Sequence, residues 1–320
     1  MSERRPGRLG VGVVGAGRVG AVLGSALRAA GHAVVGVSAI SEASRERAAA
    51  LLPGVPVIEV AQVVERAELV LLTVPDDALA PLVDGIAQVG GWQPGQIVVH
   101  TSGRQGVAVL APALRSGAIP LAIHPAMSFT GTSLDLARLE GTTFAVTAPA
   151  AVLPIGQALV VEVGGEPVVV DEAARPLYDA ALAHGADHLV TLVAQVAQAL
   201  EAAGVERPGR MLAPLLSAAL DGATRAADTR VEGEGPGAIA ALGGAVPRGD
   251  AQTLRAHVDA LAAFAAGSGA TDAPTSYADL ARASVRRGLA AHRLDAPAAR
   301  ALLDALAANG GPGVDTPPDR

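Results

Sequence analysis

The 320-residue chain has no cysteine and no lysine, and its one asparagine, Asn309, stands near the C-terminal end. Without cysteine there are no disulfides, thiolate nucleophiles or cysteine-ligated metals. Without lysine there is no side-chain amine for a Schiff base or for acid/base work, and all 24 basic residues are arginine. Aromatic residues make up 2% of the chain and the formal net charge is -7. Neither a stacking platform nor a basic field is therefore available, and no nucleic-acid partner is expected. No uninterrupted run of about 18 apolar residues occurs, so no membrane span is expected either. Arg4 and Arg5 ahead of LGVGVVGAG admit a twin-arginine export reading, but Arg18 and five glycines from Gly10 to Gly20 interrupt the apolar segment such a signal needs. The expectation is a cytoplasmic protein.

Half of the residues are apolar, over a length that suits two domains with a sizeable core. From Leu9 to Val170 short β-type runs alternate with helical segments, the pattern of βαβ units. The spacing predicts strands at 9–14, 33–38, 68–74, 96–101, 120–124, 142–147 and 167–170, with helices at 19–30, 44–52 and 107–116. Strands such as ELVLLTV are apolar on both faces, which calls for helices on both sides of a mainly parallel sheet. After Asp171 the β signals stop, and Ala- and Leu-rich helical stretches are broken near 204–209, 232–237, 243–249 and 267–274. The fold class is thus α/β: a doubly wound Rossmann domain over residues 1–170, followed by an all-α domain over 171–311. Residues 312–320 and about the first six residues are expected to be disordered.

The stretch VGVVGAGRVGAVLGSAL sets three glycines between a strand and a helix. In a dinucleotide site the first makes a tight turn, the second admits a pyrophosphate close to the backbone, and the third lets helix and strand pack together. Gly15, Ala16, Gly17, Arg18, Val19 and Gly20 are the expected phosphate-binding turn, with the helix N-terminus facing the phosphate charge. A lone GxGxxG is weak evidence, but here the strand, the helix and a second strand at Ala33 agree. About 20 residues on, an NAD site places a carboxylate against the adenosine ribose. This chain has Val37, Ser38, Ala39 and Ile40 there, and Glu42 comes late. Ser38, Ser44 and Arg45 suit a 2′-phosphate, so NADP is favoured over NAD. The plain alternative is a helix cap at Ser41 or Ser44 and a solvated Arg45. Ligands of doubly wound folds lie outside the carboxyl ends of the strands, and three of those ends are small and polar: TVPDD, HTSG and HPAMSFTG. That sets Thr73, Val74, Pro75, His100, Thr101 and Ser102 beside the ribose and nicotinamide, although each also has an ordinary use in a turn or cap.

Together, GAGRVG, LLTVPDD, HTSG, AIHPAMSF, AHGADHLVTL and VPRGD resemble the 6-phosphogluconate dehydrogenase-like superfamily, which includes β-hydroxyacid dehydrogenases, pyrroline-5-carboxylate reductase, ketopantoate reductase and prephenate dehydrogenase. More narrowly, they are similar to a bacterial group that joins a Rossmann-like domain to a helical domain of unknown function, over roughly residues 9–295. The resemblance implies hydride transfer with a nicotinamide cofactor and a second domain opened by one long helix. Hydroxyacid dehydrogenases of the superfamily use a lysine on that helix with an asparagine partner, and this chain has neither to offer. The pair His124–Pro125 is similar to one in prephenate dehydrogenases, which implies a part for His124 in oxidising a hydroxyl. The narrow group implies Asn where this chain has Asp187.

Hydride transfer to a carbonyl or imine needs an acid near the developing charge, and with Lys and Cys absent the choice falls on histidine. His32, His257 and His292 lie away from the expected cleft, which leaves His100, His124, His184 and His188. A long helix from about Arg175 to before Gly204 carries His184, Asp187, His188, Thr191, Gln195 and Gln198 on one stripe. Its other faces are apolar, so most of the helix is expected to be buried, with the stripe lining a polar cleft between the domains. Gly185 lets a ligand or another backbone approach. An exposed face or an internally bonded polar seam are the alternatives. A metal shared by His184 and His188 lacks an obvious third ligand, and none is expected. In VPRGD, Asp250 suits a helix cap, while Arg248, like Arg104, could hold a substrate carboxylate or a helix end.

The expectation is an NADP-dependent oxidoreductase acting on a small carbonyl, hydroxy acid or imine, with Ser102, His124, His184 and His188 in the catalytic set. The alternative is a non-catalytic NADP(H)-binding regulatory or redox-sensing protein. A homodimer is expected from the Ala-rich helical half.

Overall fold

A computed structural model of the chain describes residues 8–229 and 236–307. Arg4 and Arg5, most of the break at 232–237, the domain end at 311 and the tail 312–320 lie outside the described residues. The chain divides into two compact units, Met1–Gly185 and Ala186–Arg320.

The first unit runs β1 (Gly10–Val14), α1 (Arg18–Ala29), β2 (Ala33–Ser38), α2 (Glu42–Leu51), α3 (Val60–Arg66), β3 (Leu69–Leu72) and α4 (Asp76–Gln88). It continues with β4 (Ile97–His100), α5 (Ala111–Arg115), β5 (Ile119–Pro125), α6 (Leu134–Leu139), β6 (Thr143–Thr147), α7 (Leu153–Glu162) and β7 (Glu166–Val169). The seven strands form one sheet in the order β2-β1-β3-β4-β5-β6-β7. All neighbours are parallel except β5 and β6. The run ELVLLTV shows why. Leu69 and Leu71 face a core shared with α1, α2, α6 and α7, while Val70 and Leu72 face one shared with α3, α4 and α5. Leu52, Leu69, Leu72, Leu79, Leu110, Leu121 and Leu139 are fully buried, each stabilising the fold by about 1.5–3 kcal/mol.

β3 ends two residues before the predicted limit, because Thr73, Val74 and Pro75 leave the sheet to lead into α4. The helix predicted at 107–116 is a 3-10 turn, Val107–Leu110, that runs into α5 with Pro112 in its first turn. α3, α4, α6 and α7 fill connections to which the spacing gave no helix.

A long helix, α8 (Arg175–Ala202), begins in the first unit and crosses into the second. It is followed by α9 (Pro208–Asp228), α10 (Ala251–Ser268), α11 (Asp272–Ala290) and α12 (Ala296–Ala307), so this half is helical as predicted. α10, α11 and α12 enclose Leu254, Val258, Val285, Leu302 and Leu306. Asp250 accepts the Thr253 amide at 3.0 Å and caps α10, whose far end closes on Gly269 with φ +76°. The expected burial of α8 is corrected: every residue from 181 to 190 is exposed, including Leu189 and Val190. Leu182, Leu189 and Val190 are left uncovered, while Leu192, Val193, Val196 and Leu200 further along are half-buried.

Candidate active site

The first element of the site is the turn after β1. Gly15 adopts φ +97°, a left-handed conformation that only glycine takes without strain. A side chain on Gly20 would come within 2.2 Å of Gly15 O and Thr73 Oγ1, whereas one on Gly17 would meet nothing within 4 Å. Helix α1 thus presses against the strand at Gly20, and the space in front of Gly17 is open to a ligand. No side chain caps α1, which leaves its first amides available to an anion. Thr73 Oγ1 donates to Gly15 O at 2.6 Å, so its hydroxyl latches this turn instead of facing outward. Arg18 is exposed at the first position of α1, Ala16 is buried with its amide on Ser38 O, and Val19 packs against the core.

Two of the serines assigned to the cofactor turn inward. Ser38 Oγ accepts the Gly15 amide at 3.1 Å, and the residue is only 7% exposed. Ser44, 8% exposed, donates its hydroxyl to Ser41 O at 2.7 Å, while Ser41 Oγ accepts the Ser44 amide and caps α2. Ser38 thus braces the glycine turn and Ser44 is bonded within the first turn of α2, while Arg45 is exposed.

The second element is the loop after β4. His100 is fully buried. Its Nδ1 accepts the Ser102 amide at 3.2 Å, which leaves the proton on Nε2 to donate to Gly106 O at 2.9 Å. Burial holds its pKa down to about 4, so the ring is neutral. His100 shapes the loop and its side chain does not border a ligand space, a correction to its expected place beside the cofactor. Ser102 is also buried, and its Oγ accepts the Gln105 amide at 3.0 Å. Thr101 is half-buried, and its amide bonds Leu72 O. Pro75 stands at the N-cap position of α4 and Val74 packs on the core beneath it.

The third element is the start of α8, and sequence reasoning passed it over. Arg175 is fully buried against β5, β6 and the loop after β4. Its Nε donates to Thr147 Oγ1 (2.8 Å), Nη1 to Ser102 O (3.1 Å) and Gly103 O (3.4 Å), and Nη2 to Ala122 O (2.8 Å) and Ala145 O (3.0 Å). All five donors are used on neutral oxygens. One helical turn on, Tyr178 OH lies 2.9 Å from His124 Nδ1, with the two rings edge to face. Burial lowers the pKa of His124, and the Arg175 charge adds to that shift. Burial likewise raises the pKa of Tyr178. Near neutrality the pair is uncharged and shares one hydrogen-bonded proton. A side chain on Gly103 would lie 2.4 Å from Asp179 Oδ1 and 3.3 Å from His124 Nε2, so both groups flank the same α-carbon. Glu172 accepts the amides of Val107 and Ala108 at 2.7 and 3.0 Å and fastens the other end of the loop.

His184 and His188 lie about two and three turns beyond Tyr178 on the exposed stretch of α8. The helical period puts Leu182, Gly185 and Leu189 in line with Tyr178, and the two histidines on a neighbouring side. The far end of their stripe is an internal polar seam, since Gln195 Nε2 donates to Asp272 Oδ2 (2.7 Å) and Ser276 Oγ (3.0 Å). Arg104 faces Asp76 at 3.7 Å on the surface. Among the described residues no three His, Asp or Glu side chains converge as a metal site would require, and no helix is long and apolar enough to cross a membrane. The sequence did hold a signal for Tyr178: it is one of only two tyrosines, in a chain whose lysine is missing.

Residues 1–125 match the Rossmann-like domain family, and residues 142–284 match a domain of unknown function, DUF2520. No curated protein matches the chain. Among solved structures, protein TM1727 from Thermotoga maritima is similar with a TM-score of 0.63 at 17% identity, over 88% of this chain and 99% of that one. An imine reductase from Pseudomonas sp. gives 0.63 at 19% identity, over 94% and 100%. A reductive aminase from Aspergillus terreus, solved with NADPH and ethyl-5-oxohexanoate, gives 0.62 at 18% identity, over 88% and 95%. At these identities the likeness is one of fold.

Proposed function

From a chain that joins a Rossmann-like domain to a DUF2520 domain, we propose an oxidoreductase that uses a nicotinamide cofactor, NADP in preference to NAD, on the C=O or C=N bond of a small molecule. The observation that carries this reading is the His124–Tyr178 pair at the carboxyl ends of the strands, in the same unit as an uncapped glycine turn. The turn from Gly15 to Gly20 suits the pyrophosphate, because its one unobstructed glycine opens the way to the α1 amides. Val74, Pro75 and Thr101 border the remainder of the cofactor. When bound, the nicotinamide supplies or takes a hydride.

The chain's own residues handle the proton. In the reducing direction the Tyr178 hydroxyl gives its proton to the oxygen or nitrogen of the substrate. As His124 Nε2 takes up a proton from solvent, Nδ1 passes one to the phenolate, so the ring ends neutral and the tyrosine is restored. Arg175, held near Tyr178 with no carboxylate bonded to it among the described residues, favours the transient negative charge. The buried hydroxyl of Ser102 fixes the loop on which the substrate rests. Further along α8 but still in the first unit, His184 is the additional candidate for a substrate contact. Similarity to an imine reductase and a reductive aminase supports a C=N substrate alongside carbonyls and hydroxy acids.

The homodimer reading is supported by the apolar side chains left exposed on α8 and α9, among them Leu177 and Val190 (75% and 70% exposed), Met211 and Leu215. The experiment for the whole reading is to incubate the protein with NADPH and a panel of 2-oxo acids, ketopantoate and cyclic imines while following absorbance. Turnover that is lost in Tyr178→Phe supports it. Tight NADPH binding with no turnover on any member favours the non-catalytic binding protein instead.

A further inference from the structure

We propose that Arg18 and Arg47, where they converge on Gly131, form the subsite for the 2′-phosphate of NADP, an inference that rests on the dinucleotide reading above. The turned-in hydroxyls of Ser38 and Ser44 leave that phosphate without the partners the sequence suggested. The end of β2 also lacks what NAD would require. From Ser38 to Ser41 there is no carboxylate, and Glu42 is exposed at the start of α2. A ribose at the end of β2 itself meets no carboxylate for a free diol.

The replacement partners come from two helices. Arg18 opens α1 immediately after Gly17, and Arg47 stands on α2. A side chain on Gly131 would come within 2.7 Å of Arg18 Cγ, 3.1 Å of Arg18 Cα and 3.1 Å of Arg47 Cδ. Both stems therefore cross the same α-carbon, and glycine is the residue that gives them room. Gly131 also has φ +79°, which suits glycine on conformational grounds. Its loop is fixed from below by Asp135, a fully buried carboxylate. Asp135 accepts the amides of Thr130 (2.8 Å) and Gly131 (2.7 Å) and the Thr130 hydroxyl (2.9 Å). The carboxylate is engaged with that loop and with Arg138. Among the described residues neither Arg18 nor Arg47 is ion-paired. Two neighbouring guanidinium groups of like charge are unfavourable alone and become favourable around a dianion, which they can bind with planar, paired N–H donors. The site lies beside the open glycine turn, as one belonging to the same nucleotide must.

Calorimetry on the full chain tests this with four probes: NADPH, NADH, 2′,5′-ADP and 5′-ADP. The wild type is expected to bind NADPH at least tenfold more tightly than NADH, and 2′,5′-ADP more tightly than 5′-ADP. Arg47→Ala and Arg18→Ala should each weaken NADPH and 2′,5′-ADP about tenfold or more while leaving NADH within about twofold. Arg115→Ala, at the end of α5, should leave the ratio unchanged. The proposal is overturned if the arginine variants lose NADH and NADPH equally, since they would then serve the shared pyrophosphate. It is overturned equally if Arg45→Ala alone abolishes the preference, or if the wild type does not discriminate. Failure of the wild type to bind any of the four would instead remove the dinucleotide reading itself. Both arginines are partly or fully exposed, and an unchanged melting temperature without ligand verifies that the variants fold.

Discussion

The two halves of α8 differ more from each other than either does from the sheet or from the helices beyond. In its first turns Arg175 is sealed against β5, β6 and the loop after β4, Tyr178 meets His124 on β5, and Asp179 abuts that loop. From residue 181 to 190 the same helix is exposed on every side. The lesson is that a polar stripe on a helix identifies a site only where other elements meet it. His184 and His188 dominate the sequence pattern, yet the packed chemistry gathers around a tyrosine three residues into the helix. The sharpest break of this contrast is kinetic. Tyr178→Phe should lower turnover by about 10²- to 10⁴-fold with NADPH affinity retained. His184→Ala should lower it far less, and an equal loss from both substitutions would erase the distinction.

Next in size is the stability of the packed end. Arg175→Met removes five hydrogen bonds and leaves buried carbonyls unsatisfied, for an expected loss of about 3–5 kcal/mol in denaturant unfolding. Asp187→Ala, on the exposed stretch, should stay within about 0.5 kcal/mol. If both changes are equally mild, α8 is not anchored where we describe it.

The contrast has a pH signature as well. His100 is neutral in the fold with a pKa of about 4, against 6.5 in the unfolded chain. The unfolded chain therefore binds the extra proton first. Stability contributed by the neutral ring is complete above pH 6.5 and declines as the pH falls toward about 4, by at most about 3 kcal/mol. His124 adds to the same trend, since its pKa is also lowered. Urea unfolding of wild type and His100→Gln across that range should show a shallower acid decline in the variant. Parallel curves would contradict the assignment. The smallest effect on the fold belongs to the exposed side: Val190→Asp should leave monomer stability nearly unchanged while shifting light scattering from dimer to monomer. A wild type already monomeric at high concentration would remove the dimer from the reading.

Much of the first unit was legible because doubly buried strands leave a continuous apolar signal, and all seven predicted strands appear within about two residues of their limits. Gly15, Gly17 and Gly20 were legible for a related reason: each has a steric task that shows as a missing side chain. The internal hydrogen bonds of Ser38 and Ser44 were not legible, because the sequence gives a residue's place along the strand or helix but not the direction in which a hydroxyl points. Arg175 and Tyr178 escaped because their partners, Thr147, Ala122 and His124, come from strands brought together only by the sheet order. The burial of α8 was overstated because periodicity registers apolar faces and not what covers them.

Gly103 and Gly106 bear on how this architecture can vary. A side chain at Gly103 would strike the Asp179 carboxylate, and one at Gly106 would strike that of Glu172. Either added side chain would displace a carboxylate, and at Gly106 it would disturb the hold of Glu172 on the amides of Val107 and Ala108. An engineer who transplants HTSGRQG into a different scaffold gains by bringing Glu172 with it, since that carboxylate fastens the loop.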